Sequence, residues 1–209
     1  MSIFENVIKI DNNDNIIFNN WIEWEHFGIP NKPDFLRQIL RFLIALSGHC
    51  LMCTALDGCF FVERIMPKQP IHEKCDCKKK PVSFYKINNL AQANMPIERL
   101  SKYIFSNDQN SKGKKSLFEK MGYTKDDIYN LQSQFKSQAL NQYLSGNYIL
   151  KNLDNYGQRV AIKITLNNHS FYSGWMLEPE GTIRNTTPFG GWVNEKIWYR
   201  KIKRQLWKF

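Results

Sequence analysis

The sequence predicts an α+β protein in which a small N-terminal part with a zinc knuckle precedes helices packed on an antiparallel sheet. Cysteines cluster within residues 50–77, residues 97–144 have helical apolar spacing, and residues 148–187 alternate apolar and polar side chains. We place the domain boundary near residue 90. This gives an N-terminal region, 1–90, with the knuckle at 49–82, and a basic α+β domain, 91–209.

The composition predicts a soluble protein of the cytoplasm. Of its 209 residues 43% are hydrophobic and 14% aromatic, and no run approaches the roughly 18 apolar residues that a membrane span needs. The first six residues lack the basic start and apolar core of a signal peptide. Five cysteines, an odd number, fit metal binding in a reducing compartment better than a disulfide framework. We therefore expect a bacterial cytoplasmic protein, one that can also be delivered into a target cell.

The N-terminal region has short elements. Residues 3–25 predict a hairpin or loosely tethered strands around the turn-forming residues 11–15, and apolar spacing over residues 35–46 predicts a helix. A turn at Gly58 predicts a strand up to Val62, and residues 81–95 have the composition of a linker.

The second region begins with helices. Apolar spacing predicts helices over 97–104 and 128–144, with a lysine-rich loop, 111–115, and a short helix, 116–121, between them. Gly122 is expected to end that short helix in a left-handed conformation. No strand is expected before these three helices in this half of the chain.

Strands follow. Residues 159–166 alternate cleanly, 167–169 form a turn, and 170–177 and 182–188 complete a three-stranded pattern, with a turn at Glu180 and Gly181. Residues 192–207 add one more strand or a basic helix.

The cysteine cluster predicts a structural zinc site. Zinc takes four soft or borderline ligands in a tetrahedron, and a Cys-x-x-Cys turn supplies two of them. The five candidate ligands are Cys50, Cys53, His72, Cys75 and Cys77. One is therefore spare, and Cys75 or Cys77 is the first to be set aside; spacing alone leaves that choice open.

Other interpretations of this cluster stand beside the structural zinc. The cysteines could be coincidental or form a local disulfide, and a catalytic zinc would need an open position with an acid such as Glu73. Dense thiolate ligation favours a closed, structural site. Cys59 and His49 are interpreted as packing residues.

The charge predicts a polyanionic partner. Lysine and arginine outnumber aspartate and glutamate by 29 to 19, a net charge of +10, and nucleic acid is the commonest partner of such proteins. The alternative is that these side chains serve solvation alone.

The C-terminal segment interleaves basic and aromatic residues. This pattern suits a nucleic-acid backbone or an acidic partner, and its basic members are Arg200, Lys201, Lys203 and Arg204. Packing and base stacking are both open for the tryptophans at 175, 192, 198 and 207.

Two resemblances extend these predictions. Residues 50–58 (CLMCTALDG) and 70–77 (PIHEKCDC) resemble the segment that ends phage head morphogenesis (minor capsid) proteins and related modules of bacterial polymorphic toxins. The second half is similar to a poorly characterised C-terminal domain of polymorphic toxins, through residues 100–103, 113–118, 122–123, 156–157 and 187–188.

The helices followed by a sheet also resemble small bacterial ribonuclease toxins of the barnase and colicin type. That resemblance implies metal-independent cleavage, with cations holding the scissile phosphate while the RNA 2′-hydroxyl attacks. Lys114, Lys115 and Arg184 would clamp the phosphate, and Thr186 or Thr187 would bond to it. His169 would shuttle the proton; a solvated turn histidine and a solvated lysine loop are the alternatives.

These observations lead to three functional hypotheses. In the first, the protein is zinc-stabilised, binds RNA and cleaves it as a toxin. In the second, it is a phage-related structural or adaptor protein that uses the knuckle and the basic tail for assembly. In the third, the basic domain binds nucleic acid or an acidic immunity protein without chemistry.

Overall fold

The structure confirms the α+β class. It is a computed structural model that describes residues 7–10, 16–18, 21–25, 51–68, 71, 77–106 and 113–194. Within these ranges it contains three sheets and five α-helices. The helix expected at 35–46 lies outside the described residues, as do residues 49, 50, 69, 70 and 72–76 of the zinc knuckle. No helix in the described part of the chain is both long and apolar enough to cross a membrane.

The chain forms two compact units, and each contains more than one segment. The first unit comprises residues 1–91, 150–159 and 177–182. The second comprises residues 92–149, 160–176 and 183–209. The strands of the largest sheet therefore contribute residues to both units.

The first unit contains two small antiparallel sheets. Strands β1 (Val7–Ile10) and β2 (Ile16–Phe18) pair as the predicted hairpin. Strand β3 (Trp21–Glu25) is the centre of a second sheet, in the order β4-β3-β5, with β4 at Phe60–Val62 and β5 at Lys78–Val82. Helix α1 (Leu51–Leu56) precedes β4.

Strand β3 is the core of the first unit. All five of its residues are buried, and the Trp24 ring packs edge-on against Phe61 with centroids 6.2 Å apart. Its two glutamates, Glu23 and Glu25, lie in register with Lys80 and Lys78 of β5. The charged side chains of this small sheet are thus matched across strands.

The expectation of a linker over residues 81–95 is wrong. This segment contains helix α2 (Phe84–Leu90) and strand β6 (Gln92–Asn94). The Ser83 hydroxyl caps α2 by accepting from the Lys86 N–H at 3.3 Å, and Ile87 is fully buried. A helix with one buried residue per two turns has too little apolar periodicity to stand out from a linker. Because β6 precedes the helices of this half, the expected helix-first order is also wrong.

The described residues of the second unit form three α-helices. Helix α3 is Glu98–Ser101, α4 is Lys114–Lys120 and α5 is Ile128–Leu144. The predicted α5 is confirmed at both ends. Helix α4 begins two residues earlier than predicted, directly after Gly113 at φ +75°, so Lys114 and Lys115 occupy a first helical turn and not a loop. Gly122 has the expected left-handed conformation, φ +85°.

The largest sheet has the strand order β6-β10-β9-β8-β7. Its last four strands follow one another as a meander, and their bounds are β7 Tyr148–Asp154, β8 Gly157–Leu166, β9 His169–Leu177 and β10 Thr182–Thr187. Asn167 and Asn168 both have positive φ, 43° and 65°, as a two-residue hairpin turn requires. His169 was expected in this turn, but it is the first residue of β9, because two residues suffice to reverse the chain.

Aromatic side chains form the core between the helices and this sheet. Phe118 of α4, Phe135 of α5 and Phe171 of β9 are each fully buried. Their ring centroids lie 5.9–6.4 Å apart. The contacts identify one face of the sheet as the helix-covered face.

Candidate nucleic-acid interface

Strand alternation assigns the candidate side chains to the two sheet faces. The Asn185 amide donates to the Ser173 hydroxyl at 3.0 Å, and Ser173 shares a face with Phe171, two residues away on β9. Asn185 therefore lies on the helix-covered face. Its neighbours on β10, Arg184 and Thr186, lie on the opposite face, which we call the outer face.

The outer face carries cations and hydroxyls. The tight β8–β9 hairpin sets Thr165 beside Ser170, whose hydroxyl oxygens lie 2.9 Å apart, so Lys163 is on the same face. Across the next strand pair, a Cβ added to Gly174 would lie 3.2 Å from the Thr186 hydroxyl oxygen. Lys163 and Arg184 are both half-buried. The outer face thus presents two cations among three hydroxyl groups, donors that suit phosphate oxygens.

The structure does not bring all five predicted catalytic residues together. Lys114 and Lys115 lie on α4, which packs on the helix-covered face through Phe118, whereas Arg184 points to the outer face. The Lys114 ammonium donates to the Tyr103 hydroxyl at 2.7 Å and lies 4.2 Å from the centroid of that ring. Lys114 is therefore held against the turn that follows α3, away from the strand that carries Arg184.

The two remaining residues lie on strands. Thr187 follows Thr186 on β10 and lies beside β9. Its Cβ would lie 3.2 Å from a Cβ added to Gly174, and its carbonyl accepts from the Ser173 hydroxyl at 3.2 Å. His169 is exposed, and its Nδ1 lies 2.7 Å from the Asn167 carbonyl oxygen. Arg184 and the two threonines thus share β10, and His169 stands at the start of the neighbouring strand.

The buried pair Asn185 and Ser173 was not found by sequence reasoning. Both side chains are 0% exposed, and the Asn185 amide also donates to the Gly174 carbonyl at 3.2 Å. In the part of the chain that the structure describes, no group donates to the Asn185 Oδ1. The sequence does carry a signal for this pair. Ser173 and Asn185 are polar residues at positions of their strands where the alternation predicts apolar side chains.

The zinc candidates are only partly described. Cys50, His72 and Cys75 lie outside the described residues. Cys53 is fully buried on α1, in a helix and not in the expected turn, and Cys77 is half-buried directly before β5. Among the described residues, no three His, Cys, Asp or Glu side chains are grouped as a metal site requires.

The topology nevertheless relates the two described candidates. Strands β4 and β5 flank β3, and both are antiparallel to it, so they start at the same end of the sheet. The segment of Cys53 enters β4 through Cys59, whose neighbour across the sheet is Trp24. The segment of Cys77 enters β5 opposite Glu25. Both cysteine segments therefore approach one end of a three-stranded sheet.

The basic tail residues Arg200, Lys201, Lys203 and Arg204 lie outside the described residues. A pocket of about 560 Å³ in the second unit contains none of the predicted site residues. It is lined by Ile97, Ser101, Lys125, Asp126, Ile128 and Tyr129.

The charge is divided unequally between the two units. The first unit has 13 lysines and arginines and 13 aspartates and glutamates, whereas the second has 16 and six. The whole net charge of +10 therefore belongs to the second unit.

Comparison with known proteins gives one match. Residues 86–188 match the model of a family described as Domain of unknown function (DUF6883), a range that begins within α2 and continues to the end of β10. Neither the curated proteins nor the solved structures contain a match to this chain.

Proposed function

We propose that this protein binds RNA through its basic second unit, while a structural zinc ion stabilises its first unit. The observation that carries the proposal is the division of charge, 16 basic against six acidic side chains in the second unit and 13 against 13 in the first. A uniform excess would suit solvation. An excess confined to one unit favours a polyanion bound by that unit.

The outer face supplies suitable contacts. Lys163 and Arg184 offer cationic donors, and Thr165, Ser170 and Thr186 offer hydroxyl donors along neighbouring strands. Such donors bind phosphate oxygens in any sequence. We therefore expect binding with little sequence preference and a strong dependence on salt.

RNA cleavage is a separate step of the hypothesis. It would require a cation on the scissile phosphate and a proton acceptor near the 2′-hydroxyl. Arg184 with Thr186 could supply the first requirement on the outer face. His169 lies two residues from Phe171 on β9, and Thr187 lies two residues from Asn185 on β10, so alternation places both on the helix-covered face. His169 therefore does not meet the second requirement beside Arg184. Lys114 and Lys115 lie on a helix that covers the other face. They could therefore contact only RNA that extends around the sheet to that face.

Zinc binding is supported by the cysteine arrangement of the first unit. The spacing of the five candidate ligands, and the approach of two cysteine segments to one end of the β4-β3-β5 sheet, both fit a metal that joins them. The ion would supply folding energy and no chemistry, as dense thiolate ligation does in closed sites.

Salt-dependent binding of the full chain to a 20-nucleotide single-stranded RNA tests the RNA proposal. The double variant Lys163→Gln, Arg184→Gln should reduce the slope of log affinity against log salt by about 1.4, because each lost phosphate contact contributes about 0.7. The matched control, Lys78→Gln with Lys79→Gln, changes two exposed lysines of the first unit and should leave the slope unchanged. Equal slopes for both double variants, or no RNA binding by the native chain, would contradict the proposal.

The same preparations decide whether the protein cleaves RNA. End-labelled RNA is incubated with the native chain in chelator, and products that disappear in the Arg184→Ala, Thr186→Ala variant support a metal-independent ribonuclease. Intact RNA with retained binding supports a non-catalytic adaptor instead.

A further inference from the structure

One exposed tryptophan of the second unit differs from the other tryptophan that the structure describes there. Trp175 is 0% exposed in the core, whereas Trp192 is 51% exposed. The Trp192 ring stands nearly perpendicular to Phe189, at 80° and 5.3 Å between centroids, and to the buried Phe171, at 84° and 6.4 Å. Two phenylalanine rings thus fix the indole while half of its surface faces solvent.

The backbone under Trp192 is also fixed. The Gly190 N–H donates to the Tyr172 carbonyl at 2.7 Å, the Tyr172 N–H donates to the Gly191 carbonyl at 2.8 Å, and the Val193 N–H donates to Ser170 at 3.1 Å. A Cβ at position 190 would lie 3.3 Å from the Tyr172 carbonyl oxygen, and Gly191 has φ +112°. The two glycines therefore allow the chain to return to β9 and hold Trp192 beside it.

A histidine extends this aromatic surface. The His169 ring centroid lies 6.1 Å from that of Trp192, at an interplanar angle of 45°. A proton on its Nδ1 would be donated to the Asn167 carbonyl, 2.7 Å away. The other ring nitrogen, Nε2, would then remain an acceptor on this exposed side chain.

We propose that Trp192 and His169 form a stacking platform for an unpaired base of single-stranded RNA. This inference rests on the proposed RNA binding and names the form of RNA. Trp192 pairs with Phe171, and His169 lies two residues from Phe171 on β9, so the platform is on the helix-covered side of the sheet. A single strand would have to pass around the end of the sheet to reach Lys163 and Arg184 on the outer face as well. Every base has a π face that stacks on an aromatic ring, and a preordered ring loses little conformational freedom on binding. The unit that carries the platform has 16 basic against six acidic side chains, a balance that favours a polyanion. An excess of basic side chains would not be needed to bind an apolar protein surface.

The test compares single-stranded and duplex RNA of equal length against the full chain. Trp192→Leu should weaken single-strand binding by roughly 5- to 150-fold, the range for loss of one stacked base, and leave duplex binding within about twofold. Trp192→Tyr should restore most of the single-strand affinity, since it returns an aromatic face. The salt slope should not change, because no phosphate contact is removed.

The control is Tyr129→Leu, which removes a more exposed aromatic ring, 78% against 51%, from α5 of the same unit, and should change neither affinity. Unchanged urea unfolding of Trp192→Leu excludes a folding defect. Native-like single-strand affinity of Trp192→Leu, or equal loss for single strand and duplex, overturns the platform while RNA binding stands. A native chain that binds neither RNA overturns the proposed function itself.

Discussion

The two units use their charged side chains in different ways. In the first unit positive and negative residues are equal in number, and several meet: Lys86 lies 3.4 Å from the buried Glu23, and Arg159 lies 3.0 Å from Asp154. In the second unit the excess of ten positive charges is not balanced within the unit. Local neutralisation serves the fold, whereas an unbalanced excess costs self-repulsion and is expected to serve a partner.

Zinc removal should give the largest difference in stability between the two units. Structural zinc contributes on the order of 10 kcal/mol to folding at neutral pH, so chelation should expose the backbone amides of β3 and β4 to hydrogen exchange and leave those of α5 protected. Elemental analysis of protein purified under reducing conditions should give stoichiometric zinc. Equal loss of protection in both units would contradict a metal role confined to the first.

Two cysteines of the first unit provide the matched control for that prediction. Cys53 and Cys59 are both fully buried, but only Cys53 belongs to the candidate ligand set. Cys53→Ser should lose zinc, whereas Cys59→Ser should retain it. Loss of zinc from Cys59→Ser alone would reassign the ligand.

A pair of glycines separates backbone strain from close packing. Gly181 of the first unit and Gly113 of the second have similar φ, +77° and +75°. A Cβ on Gly181 would lie 3.2 Å from Ala91 and Phe60, whereas a Cβ on Gly113 would meet nothing within 4 Å. We expect Gly181→Ala to lower the free energy of unfolding by about 3 kcal/mol and Gly113→Ala by about 1 kcal/mol. Urea unfolding measures both, and equal losses would show that conformation alone decides.

The smallest expected effect concerns one carboxylate in each unit. The Thr124 N–H, 2.7 Å away, and then the Thr124 hydroxyl lower the pKa of Asp127. The Tyr156 N–H, 2.9 Å away, is the main cause that lowers the pKa of Asp154. Because both pKa values are lower in the folded state, the stabilisation is present above the unfolded value, about pH 4, and is lost as the pH falls through the folded values. NMR titration should give both carboxyls pKa values below 3.8, and Asp127→Asn should flatten the acid limb of stability; an unchanged limb would contradict this.

Sequence reasoning found the elements with strong periodicity and missed those without it. Helix α5 and the strands from β8 onward were predicted because 3.6-residue and two-residue spacings persist over many residues. Helix α2 has one buried residue, Ile87, and β6 is three residues long. Neither is long enough to show a period.

The candidate site was harder to predict for a different reason. Alternation along β10 separates Arg184 from Asn185 in any register, but only the contact of Asn185 with Ser173 identifies which of them faces the helices. The proposed cluster of Lys114 with Arg184 assumed that basic residues of distant segments converge. Whether such residues converge depends on which face of the sheet each helix covers, and a single sequence does not determine that.

The divided first unit has a consequence for biosynthesis. The Glu180 N–H donates to the Gly58 carbonyl at 2.8 Å, and Gly181 packs against Ala91, so residues 177–182 complete a unit whose main segment ends at residue 91. At roughly 5–20 residues per second, the ribosome needs about 5–20 s to supply that last segment. The nascent N-terminal segment must wait unfinished for this time, and a metal bound early would shorten the period in which it can misfold.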